Sequence, residues 1–173
     1  MKNALLGLIA GLLLMLGGSF FASHVQTSDG VTVEDVRIPL QDGSELSAYL
    51  YTPETATAAN LAPGILAVHG YINSRETQSS FAIEFARRGF VVLALDQSGH
   101  GYSTNTAFAA GFGGPAGLAY LRSLPNVDTS RIGLEGHSMG GWTSLAAAMA
   151  MPDAYNSVAL VGSSTGAPFA APG

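Results

Sequence analysis

Hydrophobic and polar positions divide the chain into one long apolar run, followed by segments of strand-like and helix-like pattern. The run from Ala4 to Ala22 carries no charged residue. About 19 residues at roughly 1.5 Å of helical rise span nearly 30 Å, which is close to the hydrocarbon thickness of a bilayer. Residues 1–23 are therefore predicted to form a transmembrane anchor or a signal peptide.

The charges that flank the apolar run suggest its orientation. Lys2 is the only charge before it, and acidic residues follow it. This distribution fits a cytoplasmic N-terminus and a single-pass protein whose folded domain is extracytoplasmic. Cleavage after the small residues Gly17-Gly18-Ser19 would instead release a secreted protein. An uncleaved anchor is favoured because Phe20 and Phe21 continue the apolar run; a buried core helix is the third interpretation.

Beyond a predicted polar linker at residues 24–30, the pattern indicates an α/β domain over residues 31–173. Alternating residues predict strands at 31–40 and 46–51, joined by an Asp42-Gly43 turn into an antiparallel hairpin at a sheet edge. Short apolar runs then alternate with helical spacing, which favours a mostly parallel, doubly wound sheet. The predicted strands are 65–68, 90–95, 132–134 and 158–161, and the predicted helices are 75–88, 115–124 and 142–150.

Composition narrows the classes of function. Hydrophobic residues make up 47% and charged residues 11%, which excludes a disordered polar chain. The net charge of -5 without a basic cluster gives no support for nucleic-acid binding. There is no Cys, and the four His lack ligand-like spacing, so no metal site is predicted. No phosphate loop or dinucleotide fingerprint is present, so no cofactor is predicted.

The strongest chemical signal is the sequence Gly136-His137-Ser138-Met139-Gly140, a G-x-S-x-G pattern between a predicted strand and a predicted helix. A very sharp turn is needed to lift the hydroxyl above the sheet, and its neighbours must be small. Gly136, Gly140 and Gly141 provide that room. Ser138 is therefore the candidate nucleophile, at a helix N-terminus that favours negative charge.

Two further loops follow predicted parallel strands. An acyl-transfer site needs two N–H donors for the developing oxyanion. The main-chain N–H groups of Met139 and Tyr71 are the candidates. His69, Asp96 and His100 are interpreted as structural residues, with the Asp96 carboxylate organising its turn.

Together, three segments resemble the α/β-hydrolase superfamily: His69-Gly70-Tyr71, Asp96-Gln97-Ser98-Gly99-His100-Gly101, and Gly136-His137-Ser138-Met139-Gly140-Gly141. Residues 127–133 look like the dienelactone-hydrolase and serine-aminopeptidase-like branches. The resemblance implies an α/β-hydrolase fold. It also implies attack by Ser138 on an ester, thioester or amide of a small-molecule or peptide substrate. Met139 and Tyr71 would form the oxyanion hole of the resulting acyl-enzyme reaction.

One departure from the family pattern concerns the general base. In this family the acid and the His follow the Ser in chain order. No His follows His137, whose side chain we expect to point away from the Ser138 hydroxyl, and Asp153 is interpreted as a surface carboxylate. The acid and the His are therefore expected beyond residue 173. The sheet would then be C-terminally incomplete, and the 173 residues alone would be inactive.

Two other functions remain open from the sequence. An acyltransferase of the same fold would pass the acyl group to an acceptor other than water. A membrane-tethered pseudo-hydrolase would bind a ligand or partner without catalysis, if the chain is complete. Trp142 and Phe112 are expected to pack in the core rather than line a pocket.

Overall fold

The computed structural model describes residues 2–27, 30–106 and 108–163. The first element is a long helix, α1 (Lys2–Thr27). Its part from Lys2 to Val25 has a mean hydropathy of 2.2, and none of it is buried. By length and composition this helix is able to cross a membrane. Membrane anchors and signal sequences share this length and composition.

The predicted linker at residues 24–30 is only partly a linker. Residues 24–27 continue α1, and Gly30 lies in a turn. Residues 28 and 29 lie outside the described residues. The helix runs past the end of the apolar run, and no Pro interrupts the chain between Ser19 and Gly30. Polarity alone therefore placed the boundary too early.

Within the described residues, six strands form one mixed sheet. They are β1 (Val31–Pro39), β2 (Glu45–Pro53), β3 (Ala62–Val68), β4 (Val91–Leu95), β5 (Val127–His137) and β6 (Ser157–Val161). The strand order is β1-β2-β4-β3-β5-β6. Strands β1 and β2 pair antiparallel, as do β2 and β4, whereas β4-β3, β3-β5 and β5-β6 are parallel. The predicted hairpin at the edge of a mostly parallel sheet is confirmed.

In the described part of the chain, three further helices cover both faces of this sheet. They are α2 (Ser79–Arg87), α3 (Gly114–Ser123) and α4 (Met139–Ala150), and short 3-10 turns at Arg75–Gln78 and Ala110–Gly113 precede α2 and α3. Helix α2 packs through Ala82, Ile83 and Ala86 on one face. Helices α3 and α4 pack on the opposite face through Leu118, Leu121 and Ala147. The sheet is therefore doubly wound, as the alternation of strands and helices predicts.

Strand β5 is much longer than the predicted strand at 132–134. It begins at Val127 and crosses an irregularity opposite Pro63 and Gly64. There the Asp128 carboxylate accepts hydrogen bonds from the Ser130 N–H at 2.9 Å and from Arg131 Nε at 2.6 Å. The hydrogen bond from the Ser130 hydroxyl, followed by those from Arg131 and the Ser130 N–H, lowers the pKa of Asp128 to about 2. Exposed polar residues at this irregularity have the sequence pattern of a turn.

The sheet order brings the loops of interest together. Strands β4, β3 and β5 are adjacent and parallel. The loops after Leu95, Val68 and His137 therefore all emerge at the carboxyl ends of these strands. Parallel α/β sheets bind ligands at the carboxyl ends of their strands. The three segments singled out in the sequence therefore converge on one region of the molecule.

Strand β5 carries a buried carboxyl group close to its carboxyl end. Glu135 is 6% exposed, and neither of its carboxylate oxygens accepts a well-formed hydrogen bond from a described residue. It lies on the α2 face in a groove where Ile65, Phe85 and Phe90 supply apolar surface; the same groove is also lined by Arg131, Asn156 and Ser157. Burial raises the pKa of Glu135 to about 7, and the nearby N–H of Val68 offsets only part of that effect.

Replacing Glu135 with Gln is expected to make stability less dependent on pH. Between pH 4.5 and about 7 the unfolded chain loses the Glu135 proton while the folded protein keeps it, so the free energy of unfolding falls as pH rises. The loss is complete above about pH 7. At pH 8 the E135Q variant should be more stable than wild type by up to about 3 kcal/mol, with little difference at pH 4.5.

Urea unfolding at both pH values measures this difference. The control is Glu84→Gln, at an exposed carboxylate whose pKa is lowered by hydrogen bonds from Arg88 and Arg87. That variant should show the opposite trend, because a lowered pKa adds stability at high pH. An equal gain for E135Q at pH 4.5 and pH 8 would contradict the burial effect.

Candidate active site

Ser138 occupies the single residue between a strand and a helix. Strand β5 ends at His137 and helix α4 begins at Met139. The backbone of Ser138 has φ 54° and ψ −117°, a conformation that costs a non-glycine residue about 1–3 kcal/mol. The N–H of Ser138 donates to the carbonyl of Val161 at 2.8 Å, which ties the turn to the end of β6. The half-buried side chain lines a pocket rather than the core.

The glycines around Ser138 are required by close backbone contacts. A Cβ on Gly136 would lie closer than 3.0 Å to the carbonyl of Gly140, and one on Gly140 would approach the carbonyls of Val68 and His69 as closely. At Gly141 the added Cβ would meet the side chain of Ser163. The turn can therefore form only with small residues at these positions, as the sequence predicts.

Two main-chain N–H groups in the segments around Ser138 have no hydrogen-bond acceptor among the described residues. Met139 is the first residue of α4, where helical N–H groups lack an intrahelical acceptor. Tyr71 lies in the loop after β3, next to Gly70, and a Cβ on Gly70 would be 3.3 Å from the Cβ of Ser138. Neither N–H donates a hydrogen bond within the described part of the chain. Tyr71, Ser138 and Met139 line the same pocket.

A pocket of about 510 Å³ contains these groups. Its described lining has no charged side chain and consists of Tyr71, Phe108, Ser138, Met139, Trp142, Gly162 and Ser163. The expectation of core packing is wrong for Trp142, since this half-buried side chain in the first turn of α4 lines the pocket. Phe112 is buried as expected, at 9% exposure.

Phe108 is a pocket residue that the sequence did not reveal. It is 55% exposed, and its ring packs edge-on against that of Phe112 at 5.6 Å between centroids. A single aromatic residue in an Ala-rich loop gives no periodic signal. Its place in the pocket follows only from the path of the loop between β4 and α3.

His69 is fully buried and stabilises the loop that carries Tyr71. Its Nε2 accepts the N–H of Gln97 at 3.1 Å, so the ring proton lies on Nδ1, which faces the carbonyl of Gly70 at 2.7 Å. Burial is the main cause that lowers the pKa of His69 and keeps the ring neutral. These bonds support the predicted structural role.

Asp96 organises the loop after β4, as predicted. It is fully buried, and its carboxylate accepts the N–H groups of Arg75 at 2.7 Å and Tyr102 at 3.0 Å. His100 faces the carbonyl of Ser98 through Nδ1 at 3.0 Å. Both side chains therefore have structural partners in the loops that surround the pocket.

The general base is not among the described residues that contact Ser138. No His side chain within residues 2–27, 30–106 and 108–163 forms a hydrogen bond with Ser138. The exposed ring of His137 lies beside Gly70, and Asp153 is exposed just after α4. The sequence also predicts an open loop at residues 166–173, which lie outside the described residues.

Comparison with known proteins identifies the family of this fold. The family model for the alpha/beta hydrolase fold matches residues 63–172. The chain therefore belongs to the alpha/beta hydrolase fold family. No curated protein matches it in sequence.

Solved structures show the same relationship. A hypothetical protein from Pseudomonas aeruginosa has 26% identity and a TM-score of 0.66, over 80% of this chain and 44% of that one. A bacterial heroin esterase has 25% identity and a TM-score of 0.61, over 79% and 46%. A dienelactone hydrolase-like promiscuous phosphotriesterase from metagenomic libraries has 20% identity and a TM-score of 0.61, over 78% and 60%. The chain thus spans less than half the length of the first two.

Proposed function

We propose that this protein is a serine hydrolase that cleaves an ester, thioester or amide through an acyl-enzyme on Ser138. The observation that carries the proposal is the conformation of Ser138 itself. Ser138 is a non-glycine residue with φ 54° in a strand-to-helix turn. Such strained backbone conformations are concentrated at active sites, because function maintains them against their energetic cost. The N–H groups of Met139 and Tyr71, which have no acceptor among the described residues, and the esterase among the similar structures support the same chemistry.

The mechanism follows from these groups. The Ser138 oxygen attacks the substrate carbonyl carbon, and the N–H groups of Met139 and Tyr71 receive the negative charge on the carbonyl oxygen. Collapse of the tetrahedral intermediate expels the alcohol, thiol or amine and leaves the acyl group on Ser138; water then releases the acid. A His that accepts the Ser138 proton, and the acid that orients it, are expected in sequence that follows residue 173.

The lining of the pocket favours a neutral, apolar group on the substrate. Tyr71, Phe108 and Trp142 supply aromatic surface, and no described lining residue carries a charge to pair with a substrate ion. The full-length protein should therefore have a higher kcat/KM for a butyrate ester than for the hemisuccinate ester of the same alcohol. Equal values for the two esters would contradict this choice of substrate.

Labelling of the full-length protein with a fluorophosphonate probe tests the nucleophile. The probe should modify Ser138, identified by mass spectrometry of the peptide that contains it. Labelling at another Ser would overturn the assignment, and absence of labelling would favour the non-catalytic binding module. Product analysis in water with added alcohols separates hydrolysis from acyl transfer.

Membrane attachment through α1 is the second part of the proposal. An exposed apolar helix of this length supports a single-pass anchor with the α/β domain on the extracytoplasmic side. We expect the protein in carbonate-washed membranes with its N-terminus intact, and a variant lacking residues 2–23 in the soluble fraction. Soluble wild-type protein that begins near residue 20 would show instead that the segment is a cleaved signal peptide.

A further inference from the structure

Gln97 has no part in the reaction just described, yet it lies at the centre of the site's buried hydrogen bonds. It follows Asp96 in the loop after β4 and is fully buried. A buried primary amide is costly unless its donors and acceptor are satisfied. Its partners therefore indicate which parts of the molecule it holds together.

Those partners belong to two different elements. The Nε2 group of Gln97 donates to the carbonyl of His69 at 2.6 Å, and its Oε1 accepts the hydroxyl of Thr143. The main-chain N–H of Gln97 also donates to the His69 ring at 3.1 Å. His69 begins the loop that carries Tyr71, and Thr143 lies in α4, whose first residue is Met139. One side chain thus links the two segments that carry the proposed oxyanion donors.

The distance between those segments matters for catalysis. The N–H of Tyr71 and that of Met139 must face the same oxygen atom, although they come from separate elements. Hydrogen bonds among fully buried groups resist separation because water cannot replace them. His69, Gln97 and Thr143 are each 0% exposed. Their hydrogen bonds therefore fix the loop after β3 against α4 directly behind the pocket.

We propose that Gln97 is a positioning residue that sets the distance between the two oxyanion donors through its bonds to His69 and Thr143. This inference rests on the proposed hydrolase function. It assigns a role to a loop residue that touches neither substrate nor Ser138. Its effect should appear in the stabilisation of the transition state and not in substrate binding.

The first test is Gln97→Met, which keeps the length of the side chain and removes both of its hydrogen bonds. Loss of a whole oxyanion donor typically lowers kcat by about 100- to 1000-fold. A displaced donor should cost part of that, so we expect kcat to fall by about 10- to 100-fold, with KM within about threefold of wild type. The rate of fluorophosphonate labelling should fall by a similar factor.

Thr143 supplies the second variant and the controls. Thr143→Val removes the hydroxyl at constant shape and should reproduce the effect of Q97M, while Thr143→Ser keeps the hydroxyl and should restore most of kcat. Q97M and T143V both remove the hydrogen bond between Gln97 and Thr143. The kcat of the double variant should therefore be little lower than that of Q97M alone. Should Q97M fail to fold, the T143V and T143S pair carries the test alone.

Three outcomes are distinguishable with a neutral p-nitrophenyl ester and the full-length protein. A fall in kcat with a nearly constant KM, and rescue by T143S, supports the inference. Unchanged kcat, a rise in KM alone, or fully additive effects of Q97M and T143V overturns it while the hydrolase function stands. Activity that survives Ser138→Ala overturns both, because the reaction then takes place elsewhere.

Discussion

Replacing Ser138 with Ala lowers kcat for ester hydrolysis by about 10⁶-fold if Ser138 is the nucleophile, as loss of a triad serine does in subtilisin. The substitution removes one oxygen atom and keeps the Cβ, so the turn at φ 54° is as strained as before and the fold should persist. Initial rates with a neutral ester on purified full-length protein, together with a thermal unfolding curve, measure both parts of the expectation.

A second serine in the same pocket provides the matched control. Ser163 lines the pocket beside Ser138, and its buried hydroxyl has no described hydrogen-bond partner. Ser163→Ala should therefore change kcat by less than about tenfold, because no hydrogen bond to a described residue and no reacting group is lost. Comparable losses in S138A and S163A would point to a general disturbance of the pocket and against nucleophilic attack by Ser138.

Gly140→Ala should lower the free energy of unfolding by at least about 3 kcal/mol. Losses of this size come from substitutions with a specific structural cause, such as a steric clash in the core. The new Cβ would be forced against the carbonyls of Val68 and His69, which are main-chain atoms of β3 and its loop. These atoms cannot turn away as a flexible side chain can, so helix α4 or strand β3 would have to shift. Urea unfolding at constant pH measures the loss.

Gly133→Ala is the control for this prediction. Gly133 lies in strand β5, before the turn at Ser138, and the atom nearest to an added Cβ is the hydroxyl oxygen of Ser157 at 3.5 Å. This is ordinary van der Waals contact, so we expect a change below about 1 kcal/mol. Equal losses of stability in G133A and G140A would contradict the steric explanation. The loss would then come from replacing any glycine in this region, and not from the close approach of α4 to β3.

The residues that could be predicted from sequence are those governed by local rules. The period of apolar residues indicates the strands and helices. A nucleophile turn demands small neighbours, so the pattern of Gly136, Ser138 and Gly140 is enough to locate the turn. The length of β5 could not be predicted, because the polar residues of its irregular part have the composition of a turn. The true end of α1 at Thr27 was missed for a similar reason.

The residues that could not be predicted depend on long-range packing. Trp142 projects from the first turn of α4, and helical spacing does not tell whether that turn faces the core or an open pocket. Gln97 stands in a polar loop, and its link between His69 and Thr143 joins positions 28 and 46 residues away in sequence. Only the arrangement of β3, β4 and α4 makes it a central residue.

The short connection between α1 and the sheet has a consequence for where such an enzyme could work. Helix α1 ends at Thr27 and strand β1 starts at Val31, so three residues join them. At about 3.5 Å per extended residue, the connection between Thr27 and Val31 reaches no more than about 15 Å. With α1 in a membrane, as proposed above, a domain tethered this closely would sample a thin layer of solution next to the lipid headgroups. It would therefore encounter esters that partition to that layer far more often than those dissolved in the bulk.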